Sequence, residues 1–157
     1  MRSTSVLILA SLLAVGQASA QTPSEIQAVE RVIQAYYDGM TRGDPIVLDR
    51  VLHDDWHIKT LLGPDDDPLF VGAKREYIER YTGEKQPDYA KDRHITSIDM
   101  ANDSLCVVRI DSPTRQHTVF FTLFKINGTW SMLSKIFIAE KEARRFSLSE
   151  SPSPRNG

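Results

Sequence analysis

A change of hydrophobic period near residue 92 constrains the fold of this chain more than any other feature. Beyond it, four runs alternate apolar and polar residues in the way typical of β-strands. The runs cover residues 94–101, 105–111, 116–126 and 129–139. Only Asn127-Gly128, the dipeptide most typical of a two-residue hairpin, separates the last two. Because all three connections are short, the sequence predicts a four-stranded antiparallel meander.

Helical signals open the chain before the meander. Thr22 is a candidate N-cap, Pro23 suits the first helical position, and Glu25 would complete a capping box. Apolar residues then recur every three or four positions as far as Met40, and Gly43 is a natural end. The sequence therefore predicts a first helix between Pro23 and Gly43.

Further elements follow before the meander begins. Asp44 and the proline after it predict a second, short helix behind a sharp turn. A strand is predicted over residues 56–62, a rigid acidic loop over 63–68, a third helix over 73–82 and a polar connection up to residue 91. Helices in the first part and strands in the second are typical of the α+β class. We therefore expect three N-terminal helices to cover one face of the sheet.

The last two predicted strands carry apolar side chains on both faces. One face holds Val119, Phe121 and Leu123, and the other holds Phe120, Phe124 and Ile126. Since the helices can cover only one face, the second apolar face needs another cover. We expect a second copy of the chain to supply it, so the sequence predicts a homodimer through the outer face of the sheet.

Residues 1–20 have the composition of a secretory signal peptide. A positive start is followed by an apolar run of ten residues, and Ala18-Ser19-Ala20 offers the small side chains that signal peptidase requires. A run of this length is too short to cross a hydrocarbon core of about 30 Å as a helix. We therefore expect cleavage between Ala20 and Gln21, export to the periplasm or the exterior, and no membrane attachment afterwards.

One folded domain, residues 21–139, is predicted to remain, followed by a disordered tail at 140–157 that is charged and then rich in Ser and Pro. The formal net charge of −2 gives no reason to expect nucleic-acid binding. The single cysteine, Cys106, excludes an internal disulfide, and no phosphate loop or nucleophile elbow predicts a cofactor. The closely spaced His53 and His57 are expected to point in different directions, so no metal site is predicted.

Three groups of landmarks occur in order along the chain. They are Tyr36-Tyr37-Asp38-Gly39-Met40 with Gly43-Asp44, then Leu52-His53-Asp54-Asp55-Trp56, and finally Phe121-Thr122-Leu123-Phe124-Lys125 leading through Asn127-Gly128-Thr129-Trp130 to Ser134-Lys135-Ile136-Phe137. With the order of elements, these landmarks resemble the nuclear transport factor 2-like superfamily, whose closest branch here is the putative lumazine-binding family. The resemblance covers about residues 24–139. It implies a cone-shaped, curved antiparallel sheet packed against the three helices, with a cavity between them.

The resemblance also implies which side chains line that cavity. The candidate ligand-pocket residues are Tyr36, Trp56, Thr60, Cys106, Val108, Phe120, Thr122, Lys135 and Phe137. Lys135 is the only charge in this set, and a buried lysine requires a partner or loses its proton. It could anchor an anionic or carbonyl-bearing ligand, or pair with an inward-facing carboxylate, and both alternatives stay open.

Ketosteroid isomerase, a catalytic relative in this superfamily, uses an Asp base beside an oxyanion hole of a Tyr and a protonated Asp. The resemblance puts Tyr36 at the position of that tyrosine, but Thr60 and Thr122 at the positions of the two carboxyl groups. Threonine does not accept a proton near neutral pH, so that mechanism is not expected. We therefore predict an exported domain that binds a small apolar or anionic molecule without catalysis. The alternatives are an enzyme of the polyketide-cyclase or isomerase kind in the same cavity, and a non-catalytic interaction or dimerisation domain.

Overall fold

The predicted α+β architecture is confirmed by the computed structural model of the chain, which describes residues 23–61, 69–83 and 89–139. Its helices are α1 (Pro23–Arg42), α2 (Pro45–Val51) and α3 (Lys74–Tyr81). Its strands are β1 (Leu52–Leu61), β2 (Leu69–Ala73), β3 (His94–Asn102), β4 (Leu105–Ser112), β5 (His117–Ile126) and β6 (Thr129–Ala139). The predicted signal peptide, acidic loop and C-terminal tail lie outside the described residues.

Helix α1 begins and ends where the sequence predicts, and its buried residues form one stripe that packs on the sheet. The Glu25 carboxylate has a different partner from the one predicted. It accepts hydrogen bonds from Lys125 Nζ at 2.7 Å and Trp130 Nε1 at 2.8 Å, which tie α1 to the hairpin of β5 and β6. Thr22, the predicted N-cap, lies outside the described residues. No helix in the described ranges is both long and apolar enough to cross a membrane.

The joint between α1 and α2 follows the prediction closely. Gly43 turns the chain with a φ of 66°, in the left-handed region that glycine adopts without strain. The Asp44 carboxylate then caps α2 by accepting hydrogen bonds from the backbone N–H groups of Ile46 and Val47, each at 3.1 Å. The tight turn brings α2 so close that a Cβ added to Gly39 would lie 3.1 Å from Val47 Cγ1.

The six strands form one sheet in the order β2-β1-β6-β5-β4-β3. Strands β3 to β6 form the predicted antiparallel meander, and their bounds lie within one residue of the predicted ones. Strand β1 pairs with β6 in parallel, a contact between distant parts of the chain that periodicity does not predict. Strand β2, which pairs antiparallel with β1, is not among the predicted elements. Its five residues lead directly into α3 and include Gly72, so the strand pattern is too short to detect.

Strand β5 presents the opposite face from the one predicted. Phe121 pairs directly with Val108, and directly paired residues lie on the same face of a sheet. Phe121 and Val108 are fully buried, as is Cys106, whereas Phe120 is 41% exposed on the outer face. The prediction that Phe120 and Thr122 line the interior is therefore wrong.

A β-bulge in β6 accounts for this reversal. Leu133 is an extra residue of β6, with no partner on β5 in the described ladder. A regular hairpin closed by the two-residue turn would place Phe120 opposite Lys135. The extra residue shifts the register by one, so that Lys135 lies opposite Phe121 instead and faces the helices.

Candidate functional site

Three of the predicted pocket residues meet in the interior, between the helices and the sheet. Tyr36 of α1, Trp56 of β1 and Lys135 of β6 lie around Tyr77 of α3, and none of the four is more than 8% exposed. We call these four residues the inner cluster. The ring centroids of Tyr77 and Trp56 are 4.7 Å apart, and those of Tyr77 and Tyr36 are 6.1 Å apart in a stacked arrangement. The inner cluster therefore combines a large aromatic surface with one lysine.

A chain of hydrogen bonds connects the polar groups of the inner cluster. Lys135 Nζ donates to the hydroxyl oxygen of Tyr36 at 3.1 Å. The Tyr77 hydroxyl donates to Met40 Sδ at 3.3 Å, so Tyr36 is the donor in the hydrogen bond between the two tyrosines. Donation therefore runs in one direction, from Lys135 through Tyr36 and Tyr77 to Met40. The lysine is the donor end of this chain.

Burial determines the electrostatics of these groups. It raises the pKa of Tyr36 and of Tyr77 well above the usual range, because a phenolate would lose its hydration there. Lys135 Nζ lies 5.4 Å from the ring centroid of Tyr36 and 5.3 Å from that of Phe137, within cation–π distance. Both tyrosines are neutral at physiological pH, so they donate hydrogen bonds and do not act as general bases.

The inner cluster offers hydrogen-bond donors. Trp56 Nε1 is buried and has no hydrogen-bond partner among the described residues. The described inward-facing side chains of β1, β4, β5 and β6 include no carboxylate; they include Leu52, Trp56, Ile58, Thr60, Cys106, Val108, Ile110, Ser112, His117, Val119, Phe121, Leu123, Trp130, Met132, Lys135 and Phe137. His117 lies four residues before Phe121, the partner of Lys135, and is therefore outside the inner cluster. Donors without a base suit the binding of an acceptor group better than they suit proton transfer.

The other predicted pocket residues lie at different distances from the inner cluster. Thr60 and Phe137 pair with each other on β1 and β6, two residues beyond Lys135 along β6. Cys106 and Val108 are fully buried in β4, two strands away from β6. Burial raises the pKa of the Cys106 thiol to about 11, so it is protonated at neutral pH. These two β4 residues are therefore core residues in the structure.

Tyr77 is the member of the inner cluster that sequence reasoning does not assign to the site. The sequence predicts it only as an apolar contact of the third helix. Its partner Tyr36 lies 41 residues earlier, and no local spacing relates the two. The available signal is the pair Tyr77 and Tyr81 on one helix face, whose rings are 4.7 Å apart. Buried tyrosine hydroxyls usually require a partner, so two tyrosines on an apolar face point to a polar interior.

A cavity of about 460 Å³ lies between α1 and strands β3 and β4. It is lined by Gln27, Glu30, Arg31, Ile33, Gln34 and Tyr37 of α1, and by Arg93, Ile95 and Ile110. We call it the side pocket. Tyr37 separates it from the inner cluster, because its ring packs edge-on against that of Tyr36 with the centroids 5.0 Å apart. None of the predicted pocket residues lines this cavity.

The closely spaced histidines contact the same aspartate in different ways. His53 Nδ1 lies 3.6 Å from the Asp55 carboxylate, whereas His57 Nδ1 lies 3.4 Å from the Asp55 backbone oxygen. Within the part of the chain that the structure describes, no group of three or more His, Cys, Asp or Glu side chains is arranged to hold a metal ion.

Residues 24–138 match the model of a family described as putative lumazine-binding. The chain belongs to this family. The matched region of this putative lumazine-binding domain extends from the first turn of α1 to the end of β6, so it contains both the inner cluster and the side pocket. No curated protein matches the chain.

Several solved structures share the fold of this putative lumazine-binding domain. A nuclear transport factor 2-like protein of unknown function from Shewanella baltica OS155 is 22% identical, with a TM-score of 0.59 over 73% of this chain and 92% of that chain. A ketosteroid isomerase-like protein from Erwinia carotovora atroseptica is 16% identical, with a TM-score of 0.52 over 74% of this chain and 97% of that chain. A putative scytalone dehydratase from Novosphingobium aromaticivorans is 16% identical, with a TM-score of 0.50 over 73% and 83%. These likenesses confirm the predicted nuclear transport factor 2-like fold.

Proposed function

We propose that this protein binds a small molecule at the inner cluster, with Lys135 as the polar anchor, and that it does so without catalysis. The observation that carries the proposal is the position of Lys135. Its side chain is almost completely buried among aromatic rings and donates to the hydroxyl of Tyr36. Burying an ammonium group is costly even when it is hydrogen-bonded. Ionisable groups in such surroundings are concentrated at functional sites.

The groups around Lys135 favour a particular class of ligand. Lys135 and Trp56 Nε1 are donors, so they favour a ligand that carries an anionic oxygen or a carbonyl oxygen. The rings of Tyr36, Tyr77 and Phe137 favour a flat, apolar body. Lumazine, which appears in the description of the family, is a flat heterocycle with carbonyl acceptors. It is therefore a suitable first compound to test.

Binding is favoured over turnover because proton transfer needs a base within hydrogen-bond distance of the substrate. The described inner cluster has two neutral tyrosines, an indole and a lysine. One observation favours the alternative of an isomerase- or cyclase-type enzyme in the same interior. The lysine and the Tyr36 hydroxyl together could polarise a substrate carbonyl. Conversion of a bound compound by the wild type and not by Lys135→Met would favour the enzyme.

We also propose that a second copy of the chain covers the outer face of the sheet. Lys59, Ile136, Phe120 and Arg109 form one paired row across β1, β6, β5 and β4 on that face. Ile136 and Phe120 are each 41% exposed. A two-fold dimer would remove this apolar area from water and keep the flanking cations at its rim.

Native mass spectrometry of the protein recovered from its own compartment tests binding, dimerisation and export together. We propose export, so the mass should correspond to a chain that begins at Gln21, in a dimer that carries a bound small molecule. A chain that retains residues 1–20 would contradict export. A monomer without any adduct would contradict both other proposals, and a dimer without an adduct would favour the pure interaction domain.

The variant Lys135→Met isolates the anchor. It keeps an unbranched side chain of similar length, and replacing a buried charge by an apolar residue is often neutral or stabilising, so the fold should be retained. We expect the ligand adduct to disappear from the mass spectrum. The matched control is Lys59→Met, on the outer face of the neighbouring strand β1, which should keep the adduct. Retention of the adduct by Lys135→Met would overturn the proposed anchor.

A further inference from the structure

We propose that the side pocket is a second binding site and that it takes a small organic anion with an apolar body. The acidic group of this ligand accepts a hydrogen bond from the Tyr37 hydroxyl and lies beside the guanidinium of Arg93. No residue of the inner cluster lines the side pocket, so this site is separate from the proposed anchor at Lys135.

The Tyr37 hydroxyl is the first observation that indicates a ligand. Tyr37 is only 3% exposed, and its hydroxyl is buried with no hydrogen-bond partner among the described residues. A buried polar group without a partner is costly and uncommon in native proteins. An acceptor on a ligand in the side pocket would supply the missing partner. Burial raises the pKa of Tyr37 to about 12, so this hydroxyl is a donor at neutral pH.

Positive charge on the same wall indicates the class of ligand. The guanidinium carbon of Arg93 lies 3.8 Å from the ring centroid of Tyr37, in a cation–π contact. Arg31 adds a second cation to the lining, whereas Glu30 is the single carboxylate there. Arg31 and Glu30 both lie on the exposed side of α1. A stacked guanidinium holds its N–H groups in a fixed plane, which suits carboxylate, sulfonate or phosphate oxygens.

The remaining walls suit an apolar body. Ile33 and Ile110 are buried at the base of the side pocket, and Ile95 is partly exposed at its rim. The volume of about 460 Å³ lies within the range of small-molecule sites, about 300–1,000 Å³. The side pocket can therefore take a body of two fused rings, with its acidic group at the Tyr37 and Arg93 end.

Two matched fluorescent dyes test the proposal by direct titration. The anionic probe is 8-anilinonaphthalene-1-sulfonate, and the neutral probe is N-phenyl-1-naphthylamine, which has the same ring body without the sulfonate. We expect the wild type to bind the anionic dye at least about tenfold more tightly than the neutral dye, because the sulfonate adds charge-assisted hydrogen bonds. Equal affinities, or no binding of the anionic dye, would overturn the proposal.

Substitutions then locate the dye. Arg93→Met should lower the affinity for the anionic dye about tenfold. Tyr37→Phe, which removes only the hydroxyl, should lower that affinity about fivefold. The affinity of both variants for the neutral dye should stay within about twofold of the wild-type value. The outer-face control Arg109→Met should change the affinity of the anionic dye less than about twofold, because Arg109 lies outside the side pocket. Lys135→Met reports separately on the inner cluster, whose donors suit the same dye. Circular dichroism checks that each variant is folded. Tyr37→Phe decides the question by itself if Arg93→Met does not fold.

Each contrary result of this experiment assigns the dye to a different place. If only Lys135→Met weakens binding of the anionic dye, the dye binds at the inner cluster. If only Arg109→Met weakens its binding, the dye binds at the outer face. Either result would overturn the second site. The proposed function at Lys135 could still hold in the second case, since its own test is the native ligand adduct. The two proposals therefore fail independently.

Discussion

The inner cluster and the side pocket use neighbouring residues of the same type in opposite ways. Tyr36 both accepts and donates hydrogen bonds in the chain that runs from Lys135 to Met40, whereas the Tyr37 hydroxyl has no partner among the described residues. Successive residues of a helix point about 100° apart, so the two rings enter different surroundings. The comparison teaches that residue type does not separate a tyrosine whose hydroxyl is satisfied within the protein from one whose hydroxyl has no described partner. What separates the two tyrosines is the hydrogen-bond partners that distant elements bring to each hydroxyl.

Phe121 lies between the two regions, and its replacement should have the largest effect. Its ring centroid is 5.3 Å from that of Tyr36 and 6.0 Å from that of Tyr37. We expect Phe121→Ala to lower the free energy of unfolding by about 3–5 kcal/mol, because it leaves a cavity in the core. Urea denaturation at low protein concentration measures this with little contribution from a dimer.

The matched control for that variant is Phe120→Ala, one residue away on the outer face. Phe120→Ala should lower the free energy of unfolding by less than about 1 kcal/mol in the same measurement, because the Phe120 side chain is partly exposed. Similar losses for the two variants would contradict the assignment of the faces of β5, and with it the separation of the two regions by Phe121.

The dependence of stability on pH in the alkaline range should reveal the burial of the Tyr37 hydroxyl. The pKa of Tyr37 is raised to about 12, above the value of about 10 expected in the unfolded chain. Between these values the native state binds more protons than the unfolded state, so stability falls as pH rises from about 10 to 12 and is unaffected below that range. Tyr37 should account for about 2–3 kcal/mol of the loss by pH 12. Urea denaturation across this range should give a shallower decline for Tyr37→Phe, and identical slopes would be evidence against a buried Tyr37.

The two tyrosine-to-phenylalanine variants compare the regions directly at neutral pH. Tyr36→Phe removes the acceptor of Lys135 and the donor to Tyr77, so it should cost about 1–3 kcal/mol. Tyr37→Phe removes a hydroxyl with no described partner. Its free energy of unfolding should therefore lie within about 0.5 kcal/mol of the wild-type value or slightly above it. Equal effects in thermal or urea denaturation would show that the hydrogen-bond chain does not distinguish the two positions.

Local signals in the sequence predict most of the fold. The hairpin at Asn127-Gly128, the joint at Gly43-Asp44 and the four strands of the meander depend on neighbouring residues, and their predicted bounds agree with the structure. The parallel pairing of β1 with β6 depends on packing between distant segments, so no local pattern contains it. The family and the superfamily are also predicted correctly, because they depend on the order of such local landmarks.

The candidate site is predicted less completely, for two physical reasons. The contact between Tyr36 and Tyr77 joins α1 to α3 across 41 residues, and only the folded chain brings these hydroxyls together. The orientation of β5 depends on one extra residue at Leu133, which the alternation of residue types does not reveal. The difference between the predicted and the observed face of Phe120 is therefore one of register and not of residue type.

That extra residue has a consequence for how such a domain can change. Because one unpaired position separates the turn from Lys135, the bulge at Leu133 decides which residue of β5 lies across from the lysine. Deleting Leu133 would remove the bulge and leave a regular ladder in which Lys135 still lies opposite Phe121. A ladder that kept Leu133 and paired it with Thr122 would instead place Lys135 opposite Phe120, which lies on the outer face in this structure. A single codon can thus be lost at this bulge without moving Lys135 out of the interior. A change of length at this position is therefore taken up by the bulge, and the interior lining of the domain is kept.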